Sequence, residues 1–213
     1  MAVSFDLFGT LVSVDRPESP ADAVGSALAS RGVDVPADFP AAYREVHIDA
    51  PDGAEVPLPA HVAAALASLG VRPENNVVRR AVVAAFDPEV ETRSGAVEAV
   101  EAAAERGPVG ILSNCSVPEL VPKSLLRSDV DRSTFDVVVS STGCGWRKPD
   151  SRAFESFASR LDIDVETVTH VGDDAATDGG IESVGGRALL LDEHSLADIP
   201  ALLDSDGRLD EVE

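Results

Sequence analysis

The chain has 213 residues, 44% hydrophobic and 26% charged, which is ordinary for a globular protein and long enough to bury a core without disulfide or metal staples. Its charge is not ordinary: 38 acidic against 17 basic residues give −21, and Lys123 and Lys148 are the only lysines beside fifteen arginines. That balance excludes a nucleic-acid binder that neutralises phosphates with a basic face, and a polybasic patch for anionic lipid.

The chain opens with a short apolar run, residues 2–5, that ends on Asp6. A loop rich in proline and acid covers 13–20. Four helix-like stretches come next, 21–31, 39–48, 59–69 and 74–86, with no convincing strand between them. Gly32 and Gly70 stand just past the first and third, where a left-handed cap belongs, and Pro73 lies at the entry of the fourth. Asp87-Pro88 breaks the helical pattern. Helix and strand then alternate. Ser94 is placed to cap a helix with Val97, Val100 and Ala104 on one face, ended by Gly107-Pro108. Residues 109–112 read as a buried strand, 118–126 as a helix, and 135–140, around Val137-Val138-Val139, as the clearest strand in the chain. Phe154, Phe157, Ala158 and Leu161 give the spacing of an amphipathic helix after Pro149. Strands over 168–171 and 187–191 enclose a glycine-containing helix over 175–184.

Alternating β and α with fully apolar strands predicts an α/β fold with a Rossmann-like parallel sheet covered by helices on both faces. The stretch 15–88 is too long for a loop and is expected to form a small helical cap domain inserted into a core of 1–14 and 89–213. The first six residues lack the basic region and apolar core of a secretory signal. The longest apolar runs, such as 82–86, fall far short of the ~20 residues that span a bilayer, so a cytoplasmic location is expected. Cys115 and Cys144 form no close-spaced metal motif and are expected as free thiols. The acidic end, 204–213, is expected to be solvated.

Ligands of open parallel sheets bind outside the carboxyl ends of the strands, so the residues just past each predicted strand are informative. The first strand delivers Asp6, the second Ser113-Asn114, the third a loop ending in Arg147-Lys148, and the fourth Gly172-Asp173-Asp174. Carboxylates gathered at adjacent strand ends repel one another, and a hard divalent cation bound by oxygens relieves that repulsion. A lysine nearby both counters charge and holds an anionic substrate group.

These residues, in this order, resemble the haloacid-dehalogenase superfamily of hydrolases. Its first motif stands as Phe5-Asp6-Leu7-Phe8-Gly9-Thr10-Leu11, its second as Ile111-Leu112-Ser113-Asn114, its third as Lys148-Pro149, and its fourth as Gly172-Asp173-Asp174 with Asp178 four residues on. The helical insert falls where the family places its first type of cap. The resemblance implies that Asp6 is a nucleophile forming a covalent aspartyl intermediate. It implies that Ser113 and Asn114 bind the transferred group, while Lys148 binds it and neutralises developing charge. Asp6, the backbone carbonyl of Phe8, Asp173 and Asp174 would then hold Mg2+, with Asp178 either orienting the loop or touching the metal.

One position departs from the pattern. Phosphatases of the family usually carry a second aspartate two residues after the nucleophile, as general acid and then base; here that residue is Phe8. The dehalogenases also lack an acid there, but they attack carbon without a metal and do not keep an acidic pair like Asp173-Asp174. The resemblance therefore implies a Mg2+-dependent phosphatase acting on a small phosphorylated metabolite. A metal-independent 2-haloacid dehalogenase and a catalytically weak binding protein are the alternatives. In the cap, Tyr43, Arg44 and His47 are expected on one helix, either meeting the substrate or packing against the core; His61, His170 and His194 read as structural. The acidic, lysine-poor, alanine- and valine-rich composition also resembles the proteins of salt-in halophilic archaea.

Overall fold

The computed structural model describes residues 1–206. Strand β1 (Ala2–Phe5) is buried along its whole length. A ribbon of β2 (Val12–Val14) and β3 (Val90–Thr92), paired antiparallel from Val12↔Thr92 to Val14↔Val90, stands at the exit and return of a helical segment. Four further strands, β4 (Val109–Ser113), β5 (Val137–Ser140), β6 (Val168–Gly172) and β7 (Arg187–Leu190), join β1 in a parallel sheet of order β5-β4-β1-β6-β7. The predicted α/β class is the observed one, with β1 central.

The period of 2 along each strand sorts the core into two faces. Val3, Phe5, Val109, Ile111, Val171 and Leu189 lie in one apolar cluster, with α5 (Ala96–Ala104), α6 (Leu120–Arg127) and α9 (Ile199–Asp206) supplying its other wall. Leu112, Val139 and Val168 belong to the other, under α8 (Ser151–Leu161). Helix α8 forms for reasons legible in its residues: the Asp150 carboxylate caps its first turn by accepting from the Arg152 N–H, and Ala153, Phe154, Phe157 and Ala158 make one buried stripe.

Between the ribbon strands, α1 (Pro20–Ala29), α2 (Phe39–Ala42), α3 (Leu58–Ser68) and α4 (Val77–Ala85) pack on one another through Val24, Leu28, Phe39, Val62, Leu66 and Val82. Helix α2 is shorter than the predicted 39–48. The chain turns at Tyr43, where His47 takes up the Ala42 carbonyl at 2.7 Å and Arg44 donates to that of Pro40 at 2.8 Å. The predicted helix over 175–184 is a 3-10 helix over Asp178–Val184, and the predicted strand over 135–140 begins only at Val137, after a 3-10 turn at Arg132–Thr134. The ribbon, the short α7 (Ser141–Cys144) and α9 have no counterpart in the sequence expectations. Of the acidic end, residues 204–206 belong to α9 and 207–213 lie outside the described residues. Among the described residues, no helix is long and apolar enough to cross a membrane. Cys115 and Cys144 are both free thiols.

Candidate active site

The register of the sheet brings the strand ends together. Phe5 pairs with Val171 and with Ile111, so Asp6 falls beside Gly172, one residue before Asp173, and Ser113 ends the neighbouring strand. The Asp6 N–H extends the β1–β6 ladder by donating to the Val171 carbonyl at 2.9 Å. Gly9, at φ +93°, turns the chain three residues after Asp6, and a Cβ there would sit 2.3 Å from Asp173 Oδ2. Glycine is thus what lets Asp173 close on the loop, where Thr10 Oγ1 donates to its Oδ1 at 2.7 Å. Burial pushes the Asp173 carboxyl up from its usual value; the Thr10 hydrogen bond opposes this, and the charges of Asp6 and Asp178 add to it.

Lys148 is 2% exposed, with Nζ 3.3 Å from Asp6 Oδ1 and donating at 2.6 Å to Asp178 Oδ1. Asp178 is itself fully buried. Its Oδ1 also meets His170 Nε2 at 3.0 Å, and its Oδ2 accepts from the Asp174 N–H at 2.9 Å. Burial alone would raise the Asp178 carboxyl, but the His170 hydrogen bond and the Lys148 charge outweigh it and hold the group below the carboxylate range. Burial, reinforced by the Lys148 charge, lowers His170 as well, so its imidazole stays neutral. The tautomer with its hydrogen on Nε2 satisfies the contacts to Ser4 and Asp178, while Lys148 Nζ, 3.1 Å from the same Nε2, finds no acceptor there and turns its protons to Asp178. The Ser4 hydroxyl donates to Nδ1 across 2.7 Å, and Nε2–H donates to Asp178. The backbone of Lys148 is clamped as well: Asn114 Nδ2 donates to its carbonyl at 2.9 Å, and its N–H donates to Asn114 Oδ1 at 2.8 Å.

The sequence-predicted residues therefore divide. Asp6, Lys148 and Asp173 gather, with Ser113 at the same sheet edge. Asn114, read as a substrate binder, commits its amide to positioning Lys148. Oxygens of Asp6, Asp173 and Asp178 lie within 4.8 Å of one another; Asp178, not Asp174, completes that group. The Asp174 carboxylate caps its own turn instead, accepting from the Ala176 N–H at 2.9 Å and from Thr177 Oγ1 at 3.2 Å. Phe8 is half-buried and lines a cleft of about 670 Å³ between the helical segment and the sheet. Tyr43 lines that cleft too, but Tyr43 and His47 pack edge and tilted against His61, with ring centroids 5.3 Å (Tyr43–His61) and 6.2 Å (His47–His61) apart, as a packing cluster. Cys115 is buried and its thiol is pushed up to about 11, chiefly by that burial.

Three contributors are not marked as site residues by the sequence reading, which takes His170 as structural, and they are missed for two reasons. Ser4 and His170 are polar residues inside otherwise apolar buried strands, a signal that could have found both. Glu55, in the loop before α3, has a side chain 1% exposed that pairs with Arg147 at 2.9 Å and accepts from Ser141 Oγ; nothing marks it among 38 acidic residues.

The donor chemistry fits a hard divalent cation. Asp6 Oδ1 is buried and makes no hydrogen bond, its ion pair being with Lys148 Nζ at 3.3 Å, and Asp173 Oδ2 faces the same loop. Asp178 is poorly placed to ligate directly, because Lys148, His170 and the Asp174 N–H already occupy its oxygens. Its part is to hold Lys148 in place.

A family model described as haloacid dehalogenase-like hydrolase matches residues 1–184. The chain belongs to that family. Among curated proteins, the chain is 33% identical over 119 residues to Phosphatase MT3486 of Mycobacterium tuberculosis (strain CDC 1551 / Oshkosh), a match covering 51% of this chain and only 54% of that protein. Among solved structures, it superposes on a 2-haloacid dehalogenase from Pseudomonas syringae pv. Tomato with TM-score 0.67 at 18% identity, covering 96% and 98% of the two chains. A HAD-hydrolase, YfnB, from Bacillus subtilis bound to magnesium matches with TM-score 0.52 at 17% identity, covering 89% and 85%. At these identities the structural matches speak to the fold.

Proposed function

We propose that this hydrolase is a Mg2+-dependent phosphatase acting on a small phosphorylated metabolite through an aspartyl-phosphate at Asp6. The observation that carries the reading is the grouping of Asp6 and Asp173 beside a fully buried Asp178, a concentration of negative charge that a cation would stabilise. The partial identity to a mycobacterial phosphatase and the magnesium named for the Bacillus protein support it.

In this reading Asp6, Asp173 and the Phe8 carbonyl hold Mg2+, which would neutralise phosphoryl charge and orient the group for in-line attack. Asp6 attacks phosphorus as the P–O ester bond breaks, and the alcohol oxygen leaves with that bond's electron pair. Lys148, fixed by Asp178 and by the Asn114 clamp, stabilises charge on the phosphoryl oxygens as they pass through the transition state. Ser113 Oγ, buried and without a protein partner, is a donor free to serve those oxygens. Water then attacks the aspartyl-phosphate, releasing phosphate and restoring Asp6.

A second reading, metal-independent displacement of halide, is favoured by one observation: an aromatic side chain, Phe8, where a phosphatase of this family carries its acid. Hydrolysis of p-nitrophenyl phosphate and halide release from a chloroacid, each measured with and without chelator, separate the two. Phosphate release lost in chelator and restored by Mg2+ is the expected result. Halide release that survives chelation, with no phosphatase signal, would overturn it.

A further inference from the structure

The cleft beside the site has a chemical character that narrows the substrate. It meets the catalytic loops at Phe8 and Asn114, and its volume, about 670 Å³, is that of a small-molecule pocket. Its walls are apolar from both sides: Leu58, Ala85 and Phe86 come from the helical segment and its edge, and Phe8, Val117 and Leu120 from the core. Its charged residues are Asp15 and Asp87 against Arg16 and Arg147, so in a chain of −21 this surface carries no net charge.

The polar side chains on the core wall of the cleft are engaged with the protein itself. Asn114 clamps the Lys148 backbone, Ser116 Oγ accepts from Arg147 at 3.0 Å, and the Cys115 thiol donates to the Val117 carbonyl at 3.3 Å. Along that wall a sugar or polyol would leave its hydroxyls without partners, at a cost, with only Tyr43 and the charged side chains lining the rest of the cleft to meet them. An aromatic ring matches the walls.

Phe8 adds an independent constraint. With no carboxyl at that position to protonate the leaving oxygen, the leaving alcohol has to depart as its anion. That favours a conjugate acid more acidic than an alkanol. Ring and leaving group point to one class. Resting on the phosphatase reading above, we propose that the substrate is an aryl phosphate monoester, its ring in the cleft and its phosphoryl group at Asp6. Asp6 displaces the aryloxide, which leaves with the electron pair of the P–O bond. Water then cleaves the aspartyl-phosphate, giving inorganic phosphate and, once the aryloxide takes up the proton released from that water, the neutral phenol.

The test is a comparison of kcat/KM, which reports the first phosphoryl transfer, for 2-naphthyl phosphate, hexyl phosphate and glucose 6-phosphate with Mg2+ at high salt. Naphthyl phosphate is expected to exceed hexyl phosphate by about 100-fold or more, the range a general acid would otherwise supply. Hexyl phosphate should in turn exceed glucose 6-phosphate. Ala84→Asp, at an exposed position on the cleft wall, should raise KM for naphthyl phosphate and leave acetyl phosphate, which is too small to reach it, unchanged. Glucose 6-phosphate turned over as well as naphthyl phosphate would overturn the aryl assignment while leaving the phosphatase reading intact. Halide release with no turnover of any phosphate would overturn both.

Discussion

Lys148 is one of two lysines in the whole chain, and it is buried against two carboxylates and a neutral imidazole. A cation in that position is held by geometry, and each partner's removal should read out differently. Asp178→Asn breaks a buried pair at both fully enclosed partners and should cost on the order of 3–5 kcal/mol. Proton linkage gives a sharper test. Both Asp178 and His170 are held below their ordinary values, so the unfolded chain binds more protons than the folded one and stability rises with pH. The His170 contribution begins to fail as pH drops below its ordinary 6.5, where the unfolded imidazole charges and the folded one does not. The Asp178 contribution is whole above its ordinary 3.8 and is lost only as pH falls further, through the folded value. Denaturant midpoints between pH 7 and 3 should therefore fall in two steps, and His170→Gln should remove the upper one. A flat wild-type profile from pH 7 to 5 would count against the neutral-imidazole assignment. At Phe8 the expectation concerns chemistry. Phe8→Asp supplies a group able to protonate the leaving oxygen and should raise kcat/KM for alkyl phosphates, within the 10²–10⁴-fold range of general acid catalysis, with little gain for nitrophenyl phosphate. Asp6→Asn should abolish turnover of both. The added carboxylate sits near Asp6 and Asp173, so the comparison belongs at saturating Mg2+.

At the scale of elements, what could be read from the sequence was periodic and what could not was short or long-range. The five sheet strands and α8 announce themselves by apolar runs and a stripe at helical spacing, and because parallel strands deliver their ends to one edge, Asp6, Ser113, Lys148 and Asp173 were legible too. The β2–β3 ribbon was not. Three residues a side give no pattern, and its partners are about 80 apart in sequence. Asp178 and Asp174 are adjacent candidates in one motif, and only the turn decides which one points inward: the Asp174 side chain is taken by Ala176 and Thr177. A strap between the helical segment and the sheet was equally silent. Glu55 donates its N–H to the Gly145 carbonyl at 2.9 Å, Arg147 donates its own to Gly53 at 2.9 Å, and Leu58 donates to Ser116 at 2.8 Å. The Glu55 carboxylate lies at the centre of this strap, accepting from Ser141 and Arg147 directly before Lys148. Glu55→Ala leaves the buried Ser141 hydroxyl without that acceptor, a loss of roughly 1–3 kcal/mol. Hydrogen exchange should show protection of the Glu55 and Arg147 amides falling while that of β1 and β6 holds. Equal loss across the sheet would mean that the strap is part of the global fold and not a separable clasp.

For the whole molecule the dominant quantity is charge. Several basic side chains are paired with carboxylates: Arg79 with Glu119, Arg127 with Asp87, Arg147 with Glu55, Arg152 with Asp150, and Lys148 with those of the site. With 38 acids and 17 bases, the excess of 21 cannot be paired by any arrangement, and it amounts to one net negative charge for about ten residues. In dilute buffer these charges repel across the surface. At about 1 M salt the Debye length shrinks to roughly 3 Å and the repulsion is screened. The core that opposes unfolding is built largely of alanine and valine, with Phe5, Phe39, Phe154 and Phe157 its largest fully buried side chains, so small residues limit what apolar burial contributes against that repulsion. The folded state should therefore depend on salt. Thermal unfolding followed by circular dichroism should show Tm rising steeply from dilute buffer to molar KCl, with helical signal lost on dialysis to low ionic strength. NaCl at equal concentration should act nearly as well, because the effect is screening. The pH steps assigned to His170 and Asp178 should persist at high salt, since a fully buried network is shielded from mobile ions in a way surface charges are not. A Tm that does not move between dilute and molar salt would show that the acidic surface is balanced by packing alone, and would remove the salt-adapted reading without touching the chemistry at Asp6.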